Sequence, residues 1–297
     1  MDKYLVINAD DFGLAPGVNR AIIELYRRGI VSSTSIMANM PGFQSAVRMA
    51  RTVPGLGVGL HFNITYGLPV SPSPRVRSLV DESGRFSSQV GAWREEDIAT
   101  ELQAQWTRCT ELGILLTHLD AHQDPQVHPI VYRPMVQLAL SKGVCMRRME
   151  SPPVAELRRP VSADRLISDS YYEGDGKERL LRHLHSLQPG MTEINCHPGY
   201  VDQILTTVSP WTGVRELELQ AFSDPEVEST LRNLDIHLVH FGRLRKLLRS
   251  PLPAGTSGST QIRFGTTHTL RLRGQPGIVP RIAEPGSTVA VTRGLRL

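Results

Sequence analysis

Four separate places in this 297-residue chain bear Asp or His of the kinds that hold metal ions or move protons. The first is Asp10-Asp11, in the string NADDFG. Two adjacent carboxylates repel unless a cation or a proton offsets them. On extended backbone neighbouring side chains point to opposite sides. Where the chain turns at a strand end, one carboxylate can ligate a metal while the other reaches a reacting water. The competing reading is that Asp11, with Gly13 close behind, caps a turn or a helix start. His61 closes the apolar run GVGLHFN, and a lone His there is more often a hydrogen-bonded rim residue than a ligand.

His118, Asp120 and His122 alternate in THLDAHQDPQVH, so an extended backbone would put all three on one side. Imidazole and carboxylate together form the ligand set of zinc and similar ions. In the alternative, His118 and Asp120 hydrogen-bond each other, and such a pair would also orient a ligating His122. His197, in NCHPGY, follows another apolar run, and Pro198-Gly199 forces a turn that would expose it. A histidine there either titrates near neutrality as a general acid or is simply a solvated turn residue. His128 precedes Pro129 at a helix start and reads as structural, while His183, His185, His237, His240 and His268 lie elsewhere.

The elements that must position these residues alternate along most of the chain. Strand patterns cover residues 4–9, 33–38, 57–63, 117–121, 144–147, 192–196 and 238–241. Helical periodicity covers 18–28, 43–51, 95–112, 130–141, 177–187 and 225–234. About seven βα units predict a parallel sheet with helical crossovers, either an open doubly wound sheet or a (β/α) barrel. The Asp and His residues sit at the C-terminal ends of several different strands, which favours the barrel, whose sites are built there. The Pro-, Ser- and Gly-rich stretch 67–93 is long for a connection and suits a substrate-facing loop or lid. Residues 251–297 lack helical periodicity and read as an irregular extension.

Composition narrows the function classes. An apolar fraction of 40% and a charged fraction of 21% fit a globular protein. No apolar run reaches the roughly 18 residues of a membrane span, and the N-terminus enters a strand pattern at once, so a cytoplasmic protein is expected. The net charge of +4 belongs to the extension, where six arginines face the single carboxylate of Glu284. A basic appendage of this kind is no nucleic-acid groove. Cys109, Cys145 and Cys196 are far apart and odd in number, which argues against a disulfide framework or a thiolate zinc site. Phosphate-binding glycine loops, GxSxG and HExxH are all missing.

The strings LVINADDFGLAPGVNRAI, STSIMANMPGF, GVGLHFNIT, THLDAHQ and NCHPGY, in that order, resemble the YdjC/ChbG carbohydrate deacetylases from about Lys3 to Leu244. The resemblance implies a distorted, TIM-like (β/α) barrel of about seven strands over residues 1–250, with residues 251–297 outside it. It implies a divalent metal, Mg or Zn, bound by Asp11, His61 and His122, with Asp10 as base and His197 as acid. It implies an N-acetylated sugar, such as a chitooligosaccharide, as substrate; homo-oligomerisation is left open. This chain departs from the family at DAHQDPQVH, where a denser run like DSHHHVH is usual, so the loop after His122 differs. Two rival functions remain: hydrolysis of another bond, phosphoester or glycosidic, and sugar binding without catalysis. Glycosidic cleavage by the adjacent Asp10 and Asp11 is disfavoured, because that chemistry needs two carboxyl groups about 5 Å or more apart across the bond.

Overall fold

A computed structural model describes residues 2–87 and 89–244, together with the backbone of 259–264 and 268–273. The chain divides into two compact units, Met1–Leu252 and Pro253–Leu297.

The first unit is a distorted (β/α) barrel. Its strands are β1 (Lys3–Phe12), β2 (Ser33–Ile36), β3 (Gly57–Phe62), β4 (Leu116–Ala121), β5 (Cys145–Met146), β6 (Arg165–Ile167), β7 (Gly190–Cys196) and β8 (Ile236–Leu238). Seven of them run β5-β4-β3-β2-β1-β7-β6, and every pairing is parallel. The short β8 pairs with Lys3–Leu5 of β1, below the level at which β2 begins. β1 is hydrophobic on both faces, with Leu5, Val6, Ile7 and Ala9 fully buried, as a strand covered by helices must be.

Helices α1 (Pro16–Arg27), α2 (Phe43–Thr52), α3 (Glu95–Glu111), α4 (Pro129–Lys142) and α5 (Gly176–Ser186) form the crossovers. Helices α6 (Gln203–Val208), α7 (Gly213–Phe222) and α8 (Pro225–Asn233) follow β7. Sequence periodicity finds all of these except α6 and α7, and all strands of this unit except β6, with β8 placed late, at 238–241. α7 (GVRELELQAF) escapes sequence reading, yet it buries Arg215, Glu218 and Phe222. β6 is three residues long, too short to show alternation.

The 67–93 stretch is tied down rather than loose along its described length. Glu101 of α3 accepts the backbone N–H of Val70 and Ser71, each at 2.8 Å, and Asp97 accepts from Ser78. Val76, Leu79, Phe86 and Trp93 of the stretch are themselves buried. In the second unit, β9 (Ser259–Phe264) and β10 (His268–Arg273) pair antiparallel. The rest of the basic extension lies outside the described residues.

Candidate metal centre

The end of β1 is where backbone geometry makes chemistry available. The β1–β2 register breaks between Ala9 and Phe12, and Asp11 takes φ = 68°, a left-handed value unusual for any residue but glycine. An irregularity of this kind re-aims side chains. Asp10 and Asp11 therefore serve two adjoining clusters instead of opposite faces of the sheet. Asp11 does not cap α1, whose N-cap is Ala15 without a side-chain bond.

Asp11 Oδ1 lies 3.2 Å from His61 Nε2 and 3.0 Å from His122 Nδ1. Ligand atoms about 2.1 Å from one ion lie roughly 3.0 Å apart at right angles and 3.4 Å at the tetrahedral angle. Both Asp11 distances thus match the spacing within a coordination shell, the three residues offer donor atoms within 4.8 Å of one another, and their chemistry suits a divalent cation. Asp11 and His61 are buried, while the His122 side chain keeps 15% of its surface exposed, leaving an approach from solvent. The second oxygen of Asp11 is engaged elsewhere, accepting from Arg215 Nη2 of α7 at 2.6 Å.

His61 is aimed from behind. Its Nδ1 faces Asp120 Oδ1 at 2.8 Å and Ser35 Oγ at 3.2 Å, which leaves Nε2 for the cradle. A carboxylate behind a ligating imidazole fixes its orientation and raises its basicity. Asp120 therefore orients His61 and not His122, because parallel β3–β4 pairing sets His61 directly beside Asp120. His118 takes no part in that bond. It lies deeper in the barrel, stacked on Phe241 at 4.2 Å, where burial lowers it to about 4 and keeps it neutral. Only glycine at position 59 admits that ring, since a Cβ there would fall 2.3 Å from His118 Cε1.

Asp10 belongs to a neighbouring buried cluster. Arg147, just past β5, clamps it with Nη1 to Oδ2 and Nη2 to Oδ1, both at 2.7 Å, and Asn8 Nδ2 adds a third bond. The same guanidinium reaches Asp120 Oδ2 at 3.0 Å and Glu193 Oε1 at 2.8 Å. Burial opposes ionisation of Asp10, but Arg147, helped by His61 and His197, outweighs it and holds the carboxyl below the usual range. Asp10, His61 and Asp120 could also surround an ion. Arg147 engages both oxygens of Asp10 and one of Asp120 there, whereas Arg215 takes only Oδ2 of Asp11 and leaves Oδ1, which favours the Asp11 cradle.

His197, after β7, is about one third exposed, with Nε2 3.7 Å from Asp10 Oδ2. Glu218 of α7 accepts the His197 backbone N–H at 2.5 Å and lies 3.8 Å from its Nδ1. The four strand ends picked out by sequence thus converge on one end of the barrel. Sequence reading missed Arg147, Glu193, Arg215 and Glu218. Arg147 closes a strand as the others do, and a lone carboxylate in TEINC was a signal for Glu193. Arg215 and Glu218 offered none, since their helix was not recognised.

Glu193 carries a pH dependence that can be measured. Burial pushes its carboxyl up to about 7, against the pull of Arg147. The native state therefore holds a proton that the unfolded chain releases near 4.5, and this group's contribution to stability falls as pH rises from about 4.5 to 7. Glu193→Gln is expected to remove that slope, at most about 1.4 kcal/mol per pH unit. Urea midpoints at pH 5 and pH 8 check it: the variant's change should be the smaller one.

The family described as YdjC-like protein matches residues 4–233. A carbohydrate deacetylase of Thermoanaerobacter pseudethanolicus is 35% identical over 248 residues, 82% of this chain and 100% of that protein. One from Geobacillus stearothermophilus is 36% identical over 252 residues, 83% of this chain and 100% of its own. A crystal structure from Enterococcus faecalis V583, described as a cellobiose-phosphate cleavage protein, superposes with a TM-score of 0.76 at 29% identity. It covers 82% of this chain and 99% of that one.

Proposed function

Because the chain belongs to the YdjC-like family, we propose that it is a metal-dependent carbohydrate deacetylase, hydrolysing the acetamide of an N-acetylated amino sugar or chitooligosaccharide. The observation that carries this reading is the convergence of Asp11 Oδ1, His61 Nε2 and His122 Nδ1 beside an ionised carboxylate and a partly exposed histidine. Similarity to carbohydrate deacetylases over their full length supports the substrate class.

A magnesium or zinc ion held by Asp11, His61 and His122 would supply Lewis-acid charge to the reacting carbonyl. Asp10 takes the proton of the attacking water. Its pairing with Arg147 makes it a weak base, so its value rests on being ionised and fixed in place. His197, whose Nε2 faces Asp10, delivers a proton to the departing amine. Glu218 steadies His197 through its backbone N–H. Asp120 and Arg215 hold His61 and Asp11 in the orientation a ligand needs.

The Enterococcus protein's description favours a second reading, cleavage of a phosphorylated disaccharide. Purified protein with added Mg or Zn, and a chelated control, should be assayed on N-acetylated mono- and oligosaccharides and on phosphorylated disaccharides. Metal-dependent acetate release supports the proposal. Release of phosphate or new reducing ends without acetate would replace it.

A further inference from the structure

Of the three tryptophans, Trp93 and Trp106 are buried, whereas Trp211 is 50% exposed. It stands in the turn between α6 and α7, and one side chain ties that turn to the metal cradle. Arg215 donates from Nε to the Trp211 carbonyl at 3.0 Å and from Nη2 to Asp11 at 2.6 Å. The Trp211 backbone therefore lies a guanidinium's breadth from a proposed ligand, which puts this turn beside the site.

The indole's placement is fixed by contacts that leave the ring partly bare. The Tyr172 ring meets it edge-on, with centroids 5.7 Å apart and planes at 77°. Ser209 Oγ accepts the Trp211 backbone N–H at 3.1 Å, which holds the turn. Val201 and Ile204, just beyond the His197 turn, are exposed apolar neighbours in sequence. A braced, half-wet aromatic ring offers a flat apolar surface at low entropic cost. A pyranose has the matching surface, a face of C–H groups bordered by hydroxyls that stay in water.

We infer that Trp211, braced by Tyr172, is the platform on which a pyranose ring of the substrate packs. This rests on the carbohydrate reading above and adds to it a residue that discriminates sugars from other acetamides.

The experiment uses the fact that Trp211 alone among the three tryptophans is open to a soluble quencher. With metal removed by chelator, di-N-acetylchitobiose should protect wild-type fluorescence from acrylamide, whereas N-acetylated butylamine, an acetamide without a ring, should not. Trp211→Ala should raise KM for the disaccharide about tenfold while changing kcat far less, and Trp211→Phe should restore most of the loss. An unchanged KM in Trp211→Ala overturns the platform, and so does fluorescence that the disaccharide leaves unprotected. Protection that follows protein concentration instead of sugar also overturns it, and assigns the ring to a contact with a second copy. Protection by sugar without any acetate release would leave the platform standing and defeat the deacetylase reading. Acetate release with an unaltered KM in the alanine variant would do the reverse.

Discussion

Asp11→Ala is expected to lose the bound metal and the activity together. Asp11 Oδ1 is the one donor close to both imidazoles, so its removal leaves two histidines with no anionic ligand between them. It also strips Arg215 of its carboxylate partner, leaving a buried cation beside the site. That cation repels an incoming metal ion, which compounds the loss. Lewis-acid assistance is worth several kcal/mol in such reactions, so the rate should fall by about three orders of magnitude or more. Calorimetric metal titration alongside acetate release checks this. A variant that kept both would remove Asp11 from the metal site. His61→Ala should behave likewise, since Nε2 is its free donor once Asp120 has taken Nδ1.

Asp10→Asn separates the metal from the base. The amide keeps the size of the carboxylate and touches none of the three proposed ligands through the bonds Asp10 makes. Metal affinity should therefore change little. The rate should drop about 10²–10⁴-fold, the usual worth of a general base. Stability should drop as well, because Arg147 loses one of three carboxylate partners in a buried cluster. Kinetics must therefore be read at a temperature where the variant is shown to be folded. Near-wild-type turnover with metal bound would transfer the base role to another group.

How much of this was open to sequence reading follows from where each signal comes from. Strand and helix periods are local, so the βα alternation could be read directly from the chain, although it fits an open sheet as well as a barrel. The Asp and His residues at strand ends could be read for the same reason. A parallel barrel brings the C-terminal ends of its strands together without further information. Pair identities could not be read. Alternation suggested a His118–Asp120 pair, whereas register sets Asp120 against His61 and buries His118 on Phe241. The resemblance carried the ligand assignment, but not the residues that brace it. Arg147 gathers carboxylates from β1, β4 and β7, residues up to 137 positions away, and Arg215 reaches back 204 positions to Asp11. Contacts that long leave no trace in a window of a dozen residues. The turn at Asp11 is a further case, since a left-handed aspartate inside NADDFG has no sequence signal of the kind that glycine provides.

The central claim is that one cation sits among Asp11, His61 and His122. Crystals of the protein grown with manganese or zinc, measured at the absorption edge of that metal, test it directly. The account predicts one anomalous peak about 2.0–2.3 Å from Asp11 Oδ1, His61 Nε2 and His122 Nδ1. A peak among Asp10, His61 and Asp120 instead, or none near Asp11, would contradict it.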